Sequence, residues 1–403
     1  MKPSLQDDKK IKYLAVLLTL MVCTTRLSMA AGQVFMALSV LTGLILTFKY
    51  RQELVVPQGL QGYFKAVGIF FLSTLPSVFF AGDMLIGLKA FLDVWLYRFL
   101  AFVLIILFIK QRNYLVKMLG VFLIVTNIDC LVAVVQLVLR IDGANRGWGF
   151  GSNVLTLAGV MVMLFPIVLV IFYDERFDIW LKKIATCSIG CIILGLLANK
   201  SRGSWLTLLV TTPIAALRYI MQNRTRIFSW IIFIVVLSSF FAYTPTYIQR
   251  WNSITNTTTD HSNADRIWVW KSACNMIRDH PVIGVGLNQF RSVYRAHYKF
   301  KQETQDLVHA HNNFVQVTAE NGVIGCMGFL YFLGYFLVRS VKNWRQGKNP
   351  YDILVFTTVL GYLCLFGQIE YTLDNSSGMR IFWFLLAILL QLKRLGFEEK
   401  VVN

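Results

Sequence analysis

Three basic side chains stand where polar turns meet apolar blocks, and each is of a type that acts on hydroxyls or phosphates. His311 lies in His309-Ala310-His311-Asn312-Asn313, at the end of the longest polar stretch and the start of an apolar run. Asn312 or Asn313 suits the N-cap of a helix that begins there. A histidine at a helix N-terminus meets the positive end of the macrodipole, which disfavours imidazolium and keeps the ring neutral. A neutral ring can take the proton of a hydroxyl nucleophile as a general base. The alternative role is only to hydrogen-bond the helix end. Arg266 follows Asp265 at the head of an amphipathic run. Its permanent charge and forked donors suit phosphate oxygens, whether in a substrate or in anionic lipid headgroups. Arg202 stands in Asn199-Lys200-Ser201-Arg202-Gly203-Ser204-Trp205, a turn with two cations between apolar blocks. Charges close to a bilayer are functional or paired, and Asp129, Glu370 and Asp374 are the available partners, with Arg98 a further charge in or near a span.

Other chemistries find less support. His309 and His311 are two residues apart, a spacing that does not put both on one helical face, and the loop segments carry no HExxH pattern. We therefore expect no metal and no cofactor. No Walker A run is present to drive ATP-dependent transport. Six of the seven cysteines lie in apolar blocks, as ordinary small hydrophobes, and only Cys274 falls in the long polar loop.

The elements that must position these residues are apolar helices. The chain is 56% hydrophobic and 15% charged over 403 residues, with mean hydropathy +0.58. A soluble surface does not tolerate that balance. The apolar residues fall into blocks long enough to cross a hydrocarbon core of about 30 Å. We read twelve spans, near 11–25, 29–48, 64–81, 92–110, 115–139, 153–173, 180–198, 203–220, 227–243, 313–338, 351–370 and 379–395. The first is read as a retained helix and not as a cleaved signal, because Arg26 and a second apolar block follow at once. Most of the 39 basic residues cluster in the two tails and in every second loop. That is the positive-inside pattern, which accounts for the formal net charge of +18 without nucleic acid and puts both termini in the cytoplasm. The chain then divides into helices over 1–243, one large extracytoplasmic loop over 244–312, and three helices with a cytoplasmic tail over 313–403. Within the loop, Ile267, Trp270, Cys274 and Ile277 recur at helical spacing, Pro281 ends the helix, and Gly284-Val285-Gly286 turns the chain. Such a helix would lie in the interface, apolar face toward lipid or protein.

The order of these motifs resembles the O-antigen ligase and polymerase superfamily. Its pattern at the end of the large loop is matched by His311-Asn312, nine residues from Asn313 to Asn321, then Gly322-Val323-Ile324-Gly325. Ser201-Arg202-Gly203-Ser204-Trp205 resembles its Ser-Arg-Gly turn, and Asp265-Arg266-Ile267-Trp268 with Asp279–Gly286 resembles its loop helix and Gly-x-Gly turn. The resemblance implies an all-α polytopic fold of GT-C type with a large periplasmic loop. It implies a bacterial inner-membrane enzyme that transfers a glycan from undecaprenyl diphosphate to a sugar hydroxyl. His311 would be the base. Arg266 and Arg202 would hold the diphosphate, and Lys200, His309, Asn312 and Asp374 would line the substrate site. A metal-independent, inverting ligase acting on lipid A-core is the first expectation, because one loop dominates. A polymerase of the same superfamily is the second. A lipid-linked glycan transporter is the alternative from another class; it would spread ionisable residues through several spans, whereas here they gather at one face.

Overall fold

In the computed structural model, the structure describes residues 8–143, 145–221, 248, 261–303 and 307–396. Uninterrupted apolar windows fold as α1 (Lys9–Thr24), α2 (Met29–Tyr50), α3 (Gln61–Phe80), α4 (Met84–Ala90) and α5 (Arg98–Phe108), the last two joined by a π-helical turn over Phe91–Tyr97. They continue as α6 (Arg112–Val138), α7 (Val154–Tyr173), α8 (Ile179–Asn199) and α9 (Arg202–Met221). After the polar stretch come α10 (His261–Asp279), α11 (Phe290–Val293), α12 (Asn313–Gly347), α13 (Pro350–Val359) and α14 (Ser376–Leu395). Small polar N-caps start many of them: Ser28, Asp83, Asn153, Asn312, Asn349 and Asn375 each accept a backbone N–H of the first turn. A helix occupies every expected window except 227–243, which lies outside the described residues.

Among the described residues, eight helices are long and apolar enough to cross a membrane. This is the make-up of an all-helical polytopic membrane protein. Of the three other described windows, α9 is also outside this set, and two fall short for visible reasons. α1 is only 16 residues long, and α14 carries Arg380, Gln391, Lys393 and Arg394. α14 tolerates that polarity because nearly all of it is buried in protein, as is α7, so these two helices form the centre of the bundle. Gln391 Nε2 donates to Ile109 O at 2.9 Å and thereby satisfies an end carbonyl just past α5.

The long polar stretch is tied to the bundle through a break in α12. Gly322 adopts φ 62°, ψ −164°, a conformation only glycine takes readily. The turn after α10 inserts at this break. Val285 N and Gly286 N donate to Ala319 O and Glu320 O at 2.9 and 3.0 Å, and Val323 N donates to Pro281 O at 2.9 Å. Gly284 (φ 71°) and Gly286 (φ 108°) are both left-handed, and a Cβ on Gly284 would lie 2.4 Å from the Glu320 carbonyl carbon. Gln289 Nε2 then donates to Asp83 O at 3.0 Å and its Oε1 accepts Asp83 N at 2.7 Å, fixing the loop to the α3–α4 turn. A Cβ at Gly322 would stand 2.2 Å from Val282 O. Gly322→Ala is therefore expected to destabilise the fold by about 1–3 kcal/mol or more, read as a lower Tm of the detergent-solubilised protein.

The face that α10 buries overlaps the expected one only in part. Val269, Ala273 and Met276 point into a second core with Val285, Phe290, Tyr294, Ala310 and Ala319. Of the expected stripe, Trp270 and Ile277 pack at the edge of this core, whereas Ile267 and Cys274 border an open cleft with Phe300. The run carries two apolar stripes, and the wider contact with α12 selects the 269/273/276 stripe. The helix packs on protein.

Candidate functional site

The segment before α12 is held at both of its neighbours. Trp270 Nε1 donates to Ala310 O at 2.8 Å, and Ala310 N donates to Gln316 Oε1 at 2.7 Å. The residue between the two histidines is thus pinned from α10 and from α12. His311 takes a left-handed φ of 49°, uncommon for a residue with a Cβ. That backbone turn swings its ring toward that of His309, with ring centroids 4.1 Å apart. Asn312 caps α12 by accepting Phe314 N at 2.9 Å and Val315 N at 3.1 Å. Trp270→Phe removes one of the pins while keeping an aromatic ring. We expect a few-fold loss of turnover, consistent with about 1 kcal/mol for one hydrogen bond, with Tm nearly unchanged, checked by parallel rate and melting measurements.

The facing wall is a turn made possible by a broken helix. α13 passes into a π-helical turn over Leu360–Leu365 and a 3-10 turn over Phe366–Gln368. The buried Asn313 staples that irregular backbone. Its Nδ2 donates to Leu363 O at 3.0 Å and Thr372 Oγ1 at 2.7 Å, and its Oδ1 accepts Thr372 N at 2.8 Å. Asn312 Nδ2 adds a bond to Gln368 Oε1 at 3.0 Å. The turn so held presents Glu370. Its Oε2 lies 3.0 Å from His311 Nδ1, and its Oε1 lies 3.7 Å from His309 Nε2.

The electrostatics set the proton positions. Burial pushes the Glu370 carboxyl up, but the hydrogen bond from His311 and the positive charge of Arg266 are among the contacts that outweigh it and hold the group below the usual range. Glu370 is therefore an anion that accepts hydrogen bonds. A carboxylate only accepts, so His311 Nδ1 is the donor of this bond, an assignment made from the partner, and Nε2 is the ring nitrogen that points to another partner. His309 is driven down to about 4 by burial, by His311 and by Arg266, against the pull of Glu370. It is neutral, and its Nδ1 accepts His311 N at 3.3 Å.

The other expected residues distribute around this cluster. α10 reaches the cluster through Trp270, whose Nε1 donates to Ala310 O at 2.8 Å, and the charge of Arg266, one turn earlier, bears on both His309 and Glu370. Arg202 opens α9, whose Gly203 is close-packed on Ile369, the residue before Glu370; a Cβ there would lie 3.0 Å from Ile369 Cδ1. Lys200 closes α8 in a left-handed conformation, φ 52°. Asp374 is ion-paired with Arg98 at 3.3 Å, and Arg98 also donates to Leu373 O at 3.1 Å. Of the acids considered as partners for Arg202, Asp129 is engaged by Arg26 at 2.9 Å, Asp374 by Arg98, and Glu370 by the histidines.

Two residues escaped sequence reasoning in their roles. Glu370 stood out as a charge at an apolar boundary, but its histidine partners are 59 and 61 positions away. Asn313 is adjacent to the motif and was weighed only as a cap. The expectation of no metal also needs correction in its premise. His309 and His311 precede the helix, so helical spacing does not govern them, and with Glu370 they offer three donor atoms all within 4.8 Å of one another.

Comparison with known proteins finds a likeness over one segment of the chain. Residues 187–330 match the sequence model described as O-antigen ligase. The matched stretch runs from α8 into α12, so it contains Arg202, Arg266, His309, His311, Gly322 and Gly325 but stops short of Glu370. A Rickettsia conorii protein provisionally named a polysaccharide ligase is 27% identical over 144 residues, 34% of this chain and 33% of that protein. The match thus spans a third of the relative's length.

Proposed function

We propose that this chain, with its O-antigen ligase segment at residues 187–330, is a membrane glycosyltransferase that moves a glycan from undecaprenyl diphosphate to a sugar hydroxyl of lipid A-core. The observation that carries the reading is the hydrogen bond between His311 Nδ1 and Glu370 Oε2 at 3.0 Å, which leaves His311 Nε2 as a proton acceptor. In the reaction, Nε2 takes the proton of the acceptor hydroxyl as its oxygen attacks the anomeric carbon. The bond from that carbon to the phosphate oxygen breaks, and the lipid diphosphate leaves. Arg266 and Arg202 stabilise the charge that develops on it, and the Glu370 carboxylate stabilises the imidazolium formed. A single displacement inverts the anomeric centre. Lys200, His309, Asn312 and Asp374 are assigned to substrate binding, with Asp374 held by its ion pair to Arg98 at 3.3 Å. We place the chain in the bacterial inner membrane with twelve GT-C-like spans, both termini cytoplasmic and the site periplasmic, on the strength of the basic clusters of every second loop.

Reconstitution in proteoliposomes with the lipid-linked glycan and lipid A-core tests this directly. One glycan added per acceptor, at a rate unchanged by EDTA, is the expected result. A ladder of growing glycan on the carrier lipid would assign the polymerase reaction instead. Full loss of transfer in EDTA with rescue by magnesium would overturn the metal-independent mechanism.

A further inference from the structure

The geometry points to a second use of the His309–His311–Glu370 cluster: it is a latent site for a divalent transition-metal ion such as Zn²⁺, and occupation of that site switches transfer off. The inhibition rests on the proposed role of His311 as base; the metal binding does not.

The donor set is two imidazoles and one carboxylate, the combination that zinc takes in three-ligand sites with an open fourth position. The three donor atoms already lie within 4.8 Å of one another. A tetrahedral zinc with bonds of about 2.0–2.1 Å wants donors about 3.3 Å apart, so each needs to move by only about 1 Å. One pair is close to that spacing, His311 Nδ1 to Glu370 Oε2 at 3.0 Å, and His309 Nε2 faces the other oxygen of the same carboxylate, Oε1, at 3.7 Å. The segments carrying them are fixed independently, Ala310 by Trp270 and Gln316, Thr372 by Asn313. The histidine side chains are each 19% exposed, so an ion has a route in.

Binding conflicts with catalysis through the proton on each ring. To offer the Nδ1 lone pair to the ion, His311 must carry its single proton on Nε2; the proton moves between the two nitrogens through solvent and none is gained or lost. The Nε2 lone pair that serves the acceptor hydroxyl is then gone. His309 likewise shifts its proton to Nδ1 and gives up only the long 3.3 Å bond from His311 N. The charge of Arg266, which reaches both His309 and Glu370, opposes a dication, so affinity rises when that charge is removed.

The test uses the full-length protein in lipid nanodiscs, stripped with EDTA and titrated with Zn²⁺ against a fluorescent zinc chelator, with transfer measured in parallel. One zinc bound per chain with near-complete loss of transfer, both reversed by EDTA, is the expected result. His309→Ala and the milder His309→Gln should each weaken zinc binding by at least about tenfold, and whatever transfer they retain should no longer respond to zinc. Arg266→Gln should bind zinc more tightly. Cys187 and Cys191, whose sulfurs lie 4.0 Å apart, are the rival site, and Cys187→Ser should leave binding unchanged. Zinc affinity that is indifferent to His309, His311 and Glu370 substitutions, or lost in Cys187→Ser, overturns the site. Zinc bound at the cluster with transfer unaffected overturns the switch. Transfer retained by His311→Ala overturns the base and leaves the zinc measurement standing.

Discussion

Replacing His311 by alanine is expected to lower the transfer rate by about 10²- to 10⁴-fold, the range that a positioned general base contributes. The expectation rests on more than the residue type. His311 is held by a left-handed backbone turn (φ 49°) immediately before the Asn312 cap, and its Nδ1 is committed to Glu370. Only Nε2 is therefore left to meet a hydroxyl. The His309 ring, 4.1 Å away, has its Nδ1 engaged by His311 N and its Nε2 toward Glu370, so it is poorly placed to substitute. The loss should appear in kcat, with little change in KM for the lipid-linked donor, because the diphosphate is assigned to Arg266 and Arg202. Folding should survive. Alanine keeps the Cβ that the left-handed turn already accommodates, and the pins on Ala310 come from Trp270 and Gln316. A melting curve like that of the parent, together with loss of turnover, is the pattern to look for. Near-normal transfer by a folded His311→Ala protein would remove the base from the mechanism.

What the sequence disclosed and what it hid divide along physical lines. Features written in local spacing were legible. The apolar windows gave helices, and Asn312 proved the cap of α12. The run from His311 to Gly322 and Gly325 marks a helix that starts at the site and breaks where the Pro281–Gly286 turn docks. The physical basis of that motif was not legible, because Gly322 needs its φ of 62° only through contact with Val282, forty residues earlier. The buried face of α10 was legible only in part for a similar reason: two stripes satisfy the same period, and only tertiary contact sets how far each is buried. Pairings of opposite charge were the least readable. Arg26, Arg98 and the histidines each take an acid from a distant segment, and composition offers several choices for each. The histidine pair was judged by the geometry of a helix to which it does not belong.

Glu370→Gln is the sharpest test of that unread contact. An amide keeps the size and one acceptor oxygen but not the charge, so the Ile369–Asn375 turn, stapled by Asn313 to Thr372 and Leu363, should hold its shape. Two consequences follow for His311. The imidazolium formed as the acceptor hydroxyl loses its proton is no longer faced by an anion. The amide can also present its NH₂ to Nδ1, which moves the ring proton to Nε2 and hides the lone pair that the reaction needs. In the serine-protease arrangement the equivalent change of carboxylate to amide costs about 10⁴-fold. The effect here should be smaller, roughly 10²- to 10³-fold, because one amide rotamer still accepts from Nδ1–H. It should fall on kcat with KM for donor and acceptor nearly constant, since Glu370 acts as a positioning residue through His311. Glu370→Asp restores the charge at a longer reach and should recover part of the rate, which a purely structural role for the side chain does not predict. Combining Glu370→Gln with His311→Ala should cost no more than His311→Ala alone, because two residues that act as one unit are not additive. Losses that multiply in the double variant would separate Glu370 from the base and leave the 3.0 Å contact without a catalytic meaning.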